Sequence, residues 1–269
     1  MKTFDPDKYL QRIKHRQGVT LTEAGLRSLL RGQLHTIPFE NFDVLLGRPI
    51  LLDPGSLFDK LVERPRGGYC FELNGLFLQA LEYFGFETRV LLARVHLSGS
   101  PIIGRGHQLS LVTINGREWI ADVGFGGQNM REPIPLEINQ VCDSGSHILR
   151  LVKTKPYGVM LQSFAGELWQ NLYSFDMAYA GPGDIKYGNY YTSTHPDSIF
   201  TQDRIASLPT REGGITLLNN TLKIRQEDTE QLIELPDDRR YFEALKQNFG
   251  IELDASYDML PPLPTASSE

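Results

Sequence analysis

Asn115-Gly116 stands between two strand-like runs and constrains the fold more than any other dipeptide in the chain. Asn-Gly is the strongest short hairpin signal, because the tight turn it favours needs positive φ at both central residues. Residues 106–114 (Gly-His-Gln-Leu-Ser-Leu-Val-Thr-Ile) read as the outgoing strand and residues 117–123 (Arg-Glu-Trp-Ile-Ala-Asp-Val) as the returning one. A two-residue turn sets the register and places Asp122 opposite Leu109. His107 lies two residues from Leu109 and therefore shares its face. His107 and Asp122 are diagonal neighbours, roughly 7–8 Å apart at the backbone, a gap that two side chains leaning together can close. A carboxylate in that position fixes the imidazole tautomer and favours its charged form.

A second stretch supplies a partner. In residues 66–75 (Arg-Gly-Gly-Tyr-Cys-Phe-Glu-Leu-Asn-Gly) a cysteine follows a flexible turn whose paired glycines offer backbone angles that other residues resist. Beyond Cys70, apolar residues fall at Leu73, Leu76, Phe77, Ala80, Leu81 and Phe84, which is helical spacing, and Gly85 is a helix stop. Cys70 is thus expected in the first turn, where unpaired backbone N–H groups and the helix dipole favour a thiolate. Two readings are open for this residue alone: a reactive thiol, or the buried structural cysteine that is the usual fate of a lone Cys. If the His107–Asp122 face meets the start of this helix, the result is a Cys-His-Asp triad.

These stretches together resemble the arylamine N-acetyltransferases. The resemblance rests on residues 66–75, on His107, on Asp122-Val123-Gly124-Phe125-Gly126-Gly127, and on Ile37-Pro38-Phe39-Glu40-Asn41 upstream. It covers roughly the first 200 residues well and the remainder in outline. It implies transfer of an acetyl group from acetyl-coenzyme A to the nitrogen of arylamines, arylhydrazines or N-hydroxyarylamines. The route it implies is ping-pong, through an acetyl-cysteine thioester. Cys70 is then the nucleophile, His107 the proton carrier and Asp122 its orienting partner. Acetyl-coenzyme A is a substrate, and no permanently bound cofactor is implied. Phe39, Val95, Phe125 and Phe200 become apolar walls for an aromatic substrate, although each fits ordinary core equally well. Gly126 belongs to a glycine loop that either shapes the acyl pocket or is only a turn.

Glu40 is flanked by large apolar residues, so it is expected to be partly buried and to need a partner. Arg66 is the candidate, and the resemblance implies the same pairing, with a structural role under the cysteine turn. An exposed surface charge is the alternative.

The 269 residues suffice for more than one domain, and 41% hydrophobic with 22% charged content is ordinary for a globular protein. A net charge of −6 gives no reason to expect nucleic acid or an anionic membrane as partner. No apolar run approaches the roughly 20 residues of a membrane span, and the start lacks the apolar core of a signal peptide. Cys70 and Cys142 are expected as free thiols in a cytoplasmic enzyme. Among Cys and His residues no pair has the short spacing of a structural zinc site, so no metal is expected.

The fold class expected is α+β, in three parts. Residues 1–85 form a helical bundle carrying the nucleophile. Asp5-Pro6, a capping box at Thr20–Glu23 and Asp53-Pro54 mark its helix starts. Residues 86–199 form an antiparallel β-barrel-like region carrying His107 and Asp122, with strands near 88–95, 148–152, 158–164 and 167–173. Pro182–Tyr191, rich in Gly, Pro and Tyr, reads as a connection. Residues 200–269 form an α/β lid with a hairpin at Asn219-Asn220, a helix capped by Asp237, and a frayed Pro-rich tail. The core is of the cysteine-protease or transglutaminase type. His15, His35, His96, His147 and His195 are expected to be surface or structural, and Cys142 incidental. Three rival functions share these features: a cysteine hydrolase or transglutaminase-like enzyme, a macrolactam-forming amide synthase of the same fold, and a non-catalytic binding module with a decayed site.

Overall fold

The computed structural model describes residues 4–97, 103–145 and 147–263. The first three residues and the end of the Pro-rich tail from Pro264 onward lie outside the described residues. The N-terminal region holds α1 (Pro6–Arg12), α2 (Glu23–Leu34), β1 (Phe39–Glu40), α3 (Phe42–Leu45), α4 (Pro54–Phe58) and α5 (Cys70–Phe84). Strands follow: β2 (Glu87–Val95), β3 (His107–Ile114), β4 (Arg117–Ala121), β5 (Ile134–Pro135), β6 (Val141–Asp143), β7 (Ile148–Thr154), β8 (Gly158–Ala165) and β9 (Leu168–Phe175). Then come α6 (Pro182–Thr194), α7 (Ile199–Gln202), β10 (Ile205–Pro209), β11 (Gly213–Leu218), β12 (Thr221–Gln226), β13 (Thr229–Glu234) and α8 (Arg240–Phe249). No helix among the described residues is long and apolar enough to cross a membrane.

The helix starts follow the capping chemistry. Asp5 accepts from Asp7 N and Lys8 N, and Asp53 from Ser56 N. At α2 the cap is Thr22, whose hydroxyl accepts from Gly25 N, two residues later than the expected Thr20–Glu23 box. Asp237 does not cap α8. It accepts instead from the Tyr257 hydroxyl, while Asp238 takes Arg240 N; a tertiary partner has outcompeted the local one.

Eight antiparallel strands form one sheet in the order β5-β4-β3-β2-β9-β8-β7-β6. The outermost strands, β5 and β6, are joined by only the short segment 136–140, and Ile138 within it bridges to Leu151 of β7. The sheet must therefore curl until its edges nearly meet, helped by the bulge between Leu161 and Gln162. Leu109, Leu111, Ile120, Leu161, Tyr173 and Phe175 fill the inside of the curl. The opposite face packs Leu92, Val112 and Trp119 on α5. The Asn115-Gly116 turn sets the expected register, pairing Ser110 with Ala121 and Ile114 with Arg117.

A second sheet, β1-β10-β11-β12-β13, takes its edge strand from the N-terminal region: Phe39 pairs with Ser207 and Glu40 with Ala206. The hairpin at Asn219-Asn220 joins β11 to β12. Pro182–Tyr191 is not a connection but most of α6. Gly183, Gly188 and three tyrosines gave it little intrinsic helical signal. What holds it is Pro182 at its first position, Asp184 accepting from Gly181 N, and tertiary anchors described below.

Under the cysteine turn lies a buried charge network. Arg66 pairs with Glu40 at 2.8 Å and Asp43 at 3.0 Å; Lys60 pairs with Asp43 at 2.6 Å and Glu72 at 2.7 Å. Burial disfavours the Lys60 ammonium, but Glu72, Glu40 and Asp43 outweigh it and push its pKa up to about 12. Burial likewise favours neutral Asp43, yet the charges of Lys60 and Arg66 hold it down at about 2. The paired glycines serve this turn by bulk rather than by backbone angle. Neither Gly67 nor Gly68 has positive φ. A Cβ on Gly67 would lie 2.1 Å from Pro38 O, and one on Gly68 would lie 2.8 Å from the Glu72 carboxylate.

Truncating one member should expose the value of the network. Removing one partner of a buried pair typically costs about 3–5 kcal/mol. Arg66→Gln is expected to lower the thermal midpoint clearly, and a melt superimposable on wild type would mean that the pair contributes nothing.

Candidate active site

Cys70 is the first residue of α5, and Tyr69 before it is extended. The turn closes because Glu72 Oε2 accepts from Tyr69 N at 3.0 Å, while Glu72 Oε1 accepts from Lys60 at 2.7 Å. The helix start is thereby tied to the charge network below it. Burial pushes the Glu72 carboxyl up, and Lys60 opposes that.

His107 opens β3 and Asp122 directly follows β4, so the hairpin delivers both to one end of the curled sheet. Asp122 Oδ2 lies 2.6 Å from His107 Nε2. The other ring nitrogen, Nδ1, is left for Cys70. All three residues are buried, Cys70 at 4% exposure and His107 at 2%. Burial opposes an imidazolium here, but the Asp122 charge and hydrogen bond, reinforced by Cys70, push His107 up to about 10. Burial would raise Asp122; His107, Asn74 and Gly124 N instead hold it below the ordinary carboxylate value. The Cys70 thiol has the Gly106 carbonyl as acceptor at 3.6 Å.

Asn74 joins the three elements. Its amide donates to Asp122 Oδ1 at 2.9 Å and to Gln108 O at 2.7 Å, and its carbonyl accepts from Val123 N at 3.1 Å. Tyr173, fully buried, packs its ring 5.1 Å from the His107 ring and 4.9 Å from Phe125. Sequence reasoning gave neither residue a role. Asn74 had a legible signal: four residues after Cys70 it lies on the same helical face. Tyr173 had none, since it arrives from a strand distant in sequence.

A cavity of about 530 Å³ opens onto Cys70 and His107. Phe39, Val95, Phe125 and Phe200 all line it, and Phe39 and Phe200 pack with ring centres 5.8 Å apart. Gly126 does not line it. It is buried at the start of a short turn, Gly126–Gln128, behind Phe39. Glu40 and Arg66 lie below the cysteine turn and away from the cavity. Of the other histidines, His35 meets Pro209 O, His96 meets Ser174 Oγ and His195 stacks on Tyr191. His147 lines a second cavity, on the far side of the Gly126–Gln128 turn. Cys142 is a free, half-buried thiol on β6.

A thiol beside an imidazole that is itself held by a buried carboxylate, at the foot of an apolar cavity, is equipped for acyl transfer. Comparison with known proteins agrees. A family model described as N-acetyltransferase matches residues 22–257. The chain is 40% identical over 239 residues to the arylamine N-acetyltransferase / N-hydroxyarylamine O-acetyltransferase of Salmonella typhimurium, spanning 87% of this chain and 84% of that protein. Its fold superposes on the Salmonella typhimurium arylamine N-acetyltransferase structure with a TM-score of 0.89, covering 94% of this chain and 95% of that one. It superposes on Mycobacterium marinum arylamine N-acetyltransferase in complex with CoA with a TM-score of 0.86 at 33% identity, covering 92% and 93%. The chain belongs to the arylamine N-acetyltransferase family.

The raised His107 has a signed consequence for stability. Its folded value near 10 exceeds the ordinary histidine value of about 6.5, so the folded state binds the proton more tightly. That stabilisation is complete below about pH 6.5 and is lost as pH rises through 10. The gap in urea midpoint between wild type and His107→Gln is expected to narrow over this window. A gap independent of pH would mean that no imidazolium is stabilised.

Proposed function

We propose that this protein transfers an acetyl group from acetyl-coenzyme A to the nitrogen of arylamines or arylhydrazines, through a thioester on Cys70. The observation that carries this reading is the His107–Asp122 hydrogen bond at the foot of the cavity that opens onto Cys70. In the first half-reaction the Cys70 sulfur attacks the thioester carbonyl, and coenzyme A leaves with a proton from His107. In the second, the amine attacks acetyl-Cys70, His107 takes the amine proton, and the thiolate departs. Asp122 orients the ring throughout and supports its charge. N–H groups in the first turn of α5 lack i−4 partners and are the donors suited to the oxyanion.

The cavity supports an aromatic acceptor, because Phe39, Phe125 and Phe200 offer ring surface rather than polar groups. N-hydroxyarylamines fit the same walls. Beyond the Gly126–Gln128 turn, the second cavity, of about 440 Å³, is lined by Arg131, Lys223 and Arg225, cations suited to the phosphates of the acyl carrier. In this reading residues 1–85 carry the nucleophile, 86–199 its histidine and aspartate, and 200–269 cover the site. A free nucleophilic thiol and an acetyl-coenzyme A donor fit a reducing, cytoplasmic setting.

Acetyl-coenzyme A alone should add one acetyl group to the intact mass, mapping to Cys70, and an arylamine should discharge it as the acetamide. Double-reciprocal plots should be parallel. Cys70→Ser should acquire no label. A label on lysine, or kinetics requiring both substrates at once, would overturn the covalent route; rapid loss of the label to water without amine would make the protein a hydrolase.

A further inference from the structure

One wall of the active-site cavity is a helix that the sequence does not announce. Asp184, Tyr187, Gly188, Tyr191 and Thr192 of α6 line it, a spacing of three, one, three and one that marks a single helical face. The helix is seated closely. A Cβ at Gly188 would stand 2.8 Å from Phe71 of α5 and 2.8 Å from Arg105 O, so only glycine allows this approach. Asn189 accepts from the Tyr69 hydroxyl and donates to Ile50 O, which anchors α6 to the residue preceding Cys70.

On this wall two large rings lie partly open to solvent at the mouth. Tyr187 is 80% exposed and Tyr191 44% exposed, although both face the cavity. Tyr191 is held by stacking on His195, with ring centres 4.4 Å apart and planes at 20°. Leu97 and Ile199, also partly exposed, complete the rim. The depth of the cavity is walled by Phe39, Phe125 and Phe200, and a single-ring amine reacting at Cys70 is covered by these alone. A cavity of about 530 Å³ is far larger than one such ring needs. Among acceptors, only one long enough to reach the apolar rim meets it.

We propose that Tyr187 and Tyr191 form an aromatic lip that selects extended arylamines, those with a second ring in line with the first, by stacking the distal ring at the cavity mouth. This rests on the acyl-transfer reading above and deepens it by naming the acceptor class. Neither tyrosine touches the reacting atoms; both act on acceptor binding. Burying one face of a second ring against aromatic surface warrants about a tenfold preference.

The experiment measures kcat/KM for 2-aminofluorene and for aniline, and separately the rate of acetyl-Cys70 formation from acetyl-coenzyme A, followed by intact mass. The ratio of the two amine values is expected to fall about threefold in Tyr187→Ala and about tenfold in the Tyr187→Ala/Tyr191→Ala double variant. Tyr187→Phe should keep the ratio, since the ring and not the hydroxyl is invoked. Tyr190→Ala, on the same helix but off the cavity-facing stripe, should also keep it. An unchanged ratio in the double variant overturns the proposal. So does a loss falling equally on both amines and on acetyl-Cys70 formation, which would assign the lip to the acyl carrier. Acetyl-Cys70 formation in wild type reports on the acyl-transfer reading independently of either ratio. Every variant exchanges an exposed or half-exposed side chain, and a melting curve matching wild type confirms that the fold is intact.

Discussion

Everything at this site hangs on five largely buried charges. Arg66 and Lys60 are each shared between two carboxylates, so Glu40, Asp43 and Glu72 are strung into one chain of contacts. The chain begins at β1 and α3 and ends at the first turn of α5. Without it, the loop before Cys70 would have no reason to stop where it does, since its own sequence is two glycines and a tyrosine. Ion pairs so deeply buried are weak evidence of net stability, because desolvation consumes most of their attraction. Their value is positional. They hold Tyr69 N and Glu72 together, and the position of Cys70 follows from that.

Against this lower support, the hairpin supplies the other half of the constellation from strands that have no covalent nearness to α5. Asn74 makes the junction. A single side-chain amide reaches the carboxylate of Asp122, the backbone of β3 and the backbone after β4. The triad is therefore not three residues that happen to meet. Two separately built pieces, packed together through Leu92, Val112 and Trp119, are tied at the site by the Asn74 amide.

The triad was legible because each of its members sits beside a strong local rule. Asn115-Gly116 dictated the register that brings Asp122 to His107, and the apolar spacing after Cys70 dictated the helix start. Glu40 and Arg66 were legible from the cost of an unpaired charge among apolar neighbours. The misses share a different cause. Helix α6 contains two glycines and several tyrosines, and it persists through Gly188 nestling on Phe71 and Asn189 bonding Tyr69, both contacts across more than 100 residues. Lys60 and Asp43 look like surface residues until the fold encloses them. Asp237 lost its capping role to Tyr257 for the same reason. Gly67 and Gly68 were read for backbone freedom, but the neighbours that forbid a side chain there, Pro38 and Glu72, become visible only in three dimensions. Local rules located the chemistry; contacts distant in sequence built its walls.

The two-residue strand β1 closes the circle. Phe39 bridges to Gly68 on one side, pairs with Ser207 on the other, and turns its ring into the cavity. A segment from the first fifth of the chain is thus a seam between the cysteine turn and the last sheet. No fragment that ends at β9 contains the whole lining of the pocket. A nascent chain released through β9 would already contain the cysteine, the histidine and the aspartate, yet it would lack α6, Phe200 and the strand that holds Phe39 in place. Synthesis of Cys70 and synthesis of its shelter are separated in time by the length of the C-terminal region. During that interval the pocket around Cys70 is unfinished.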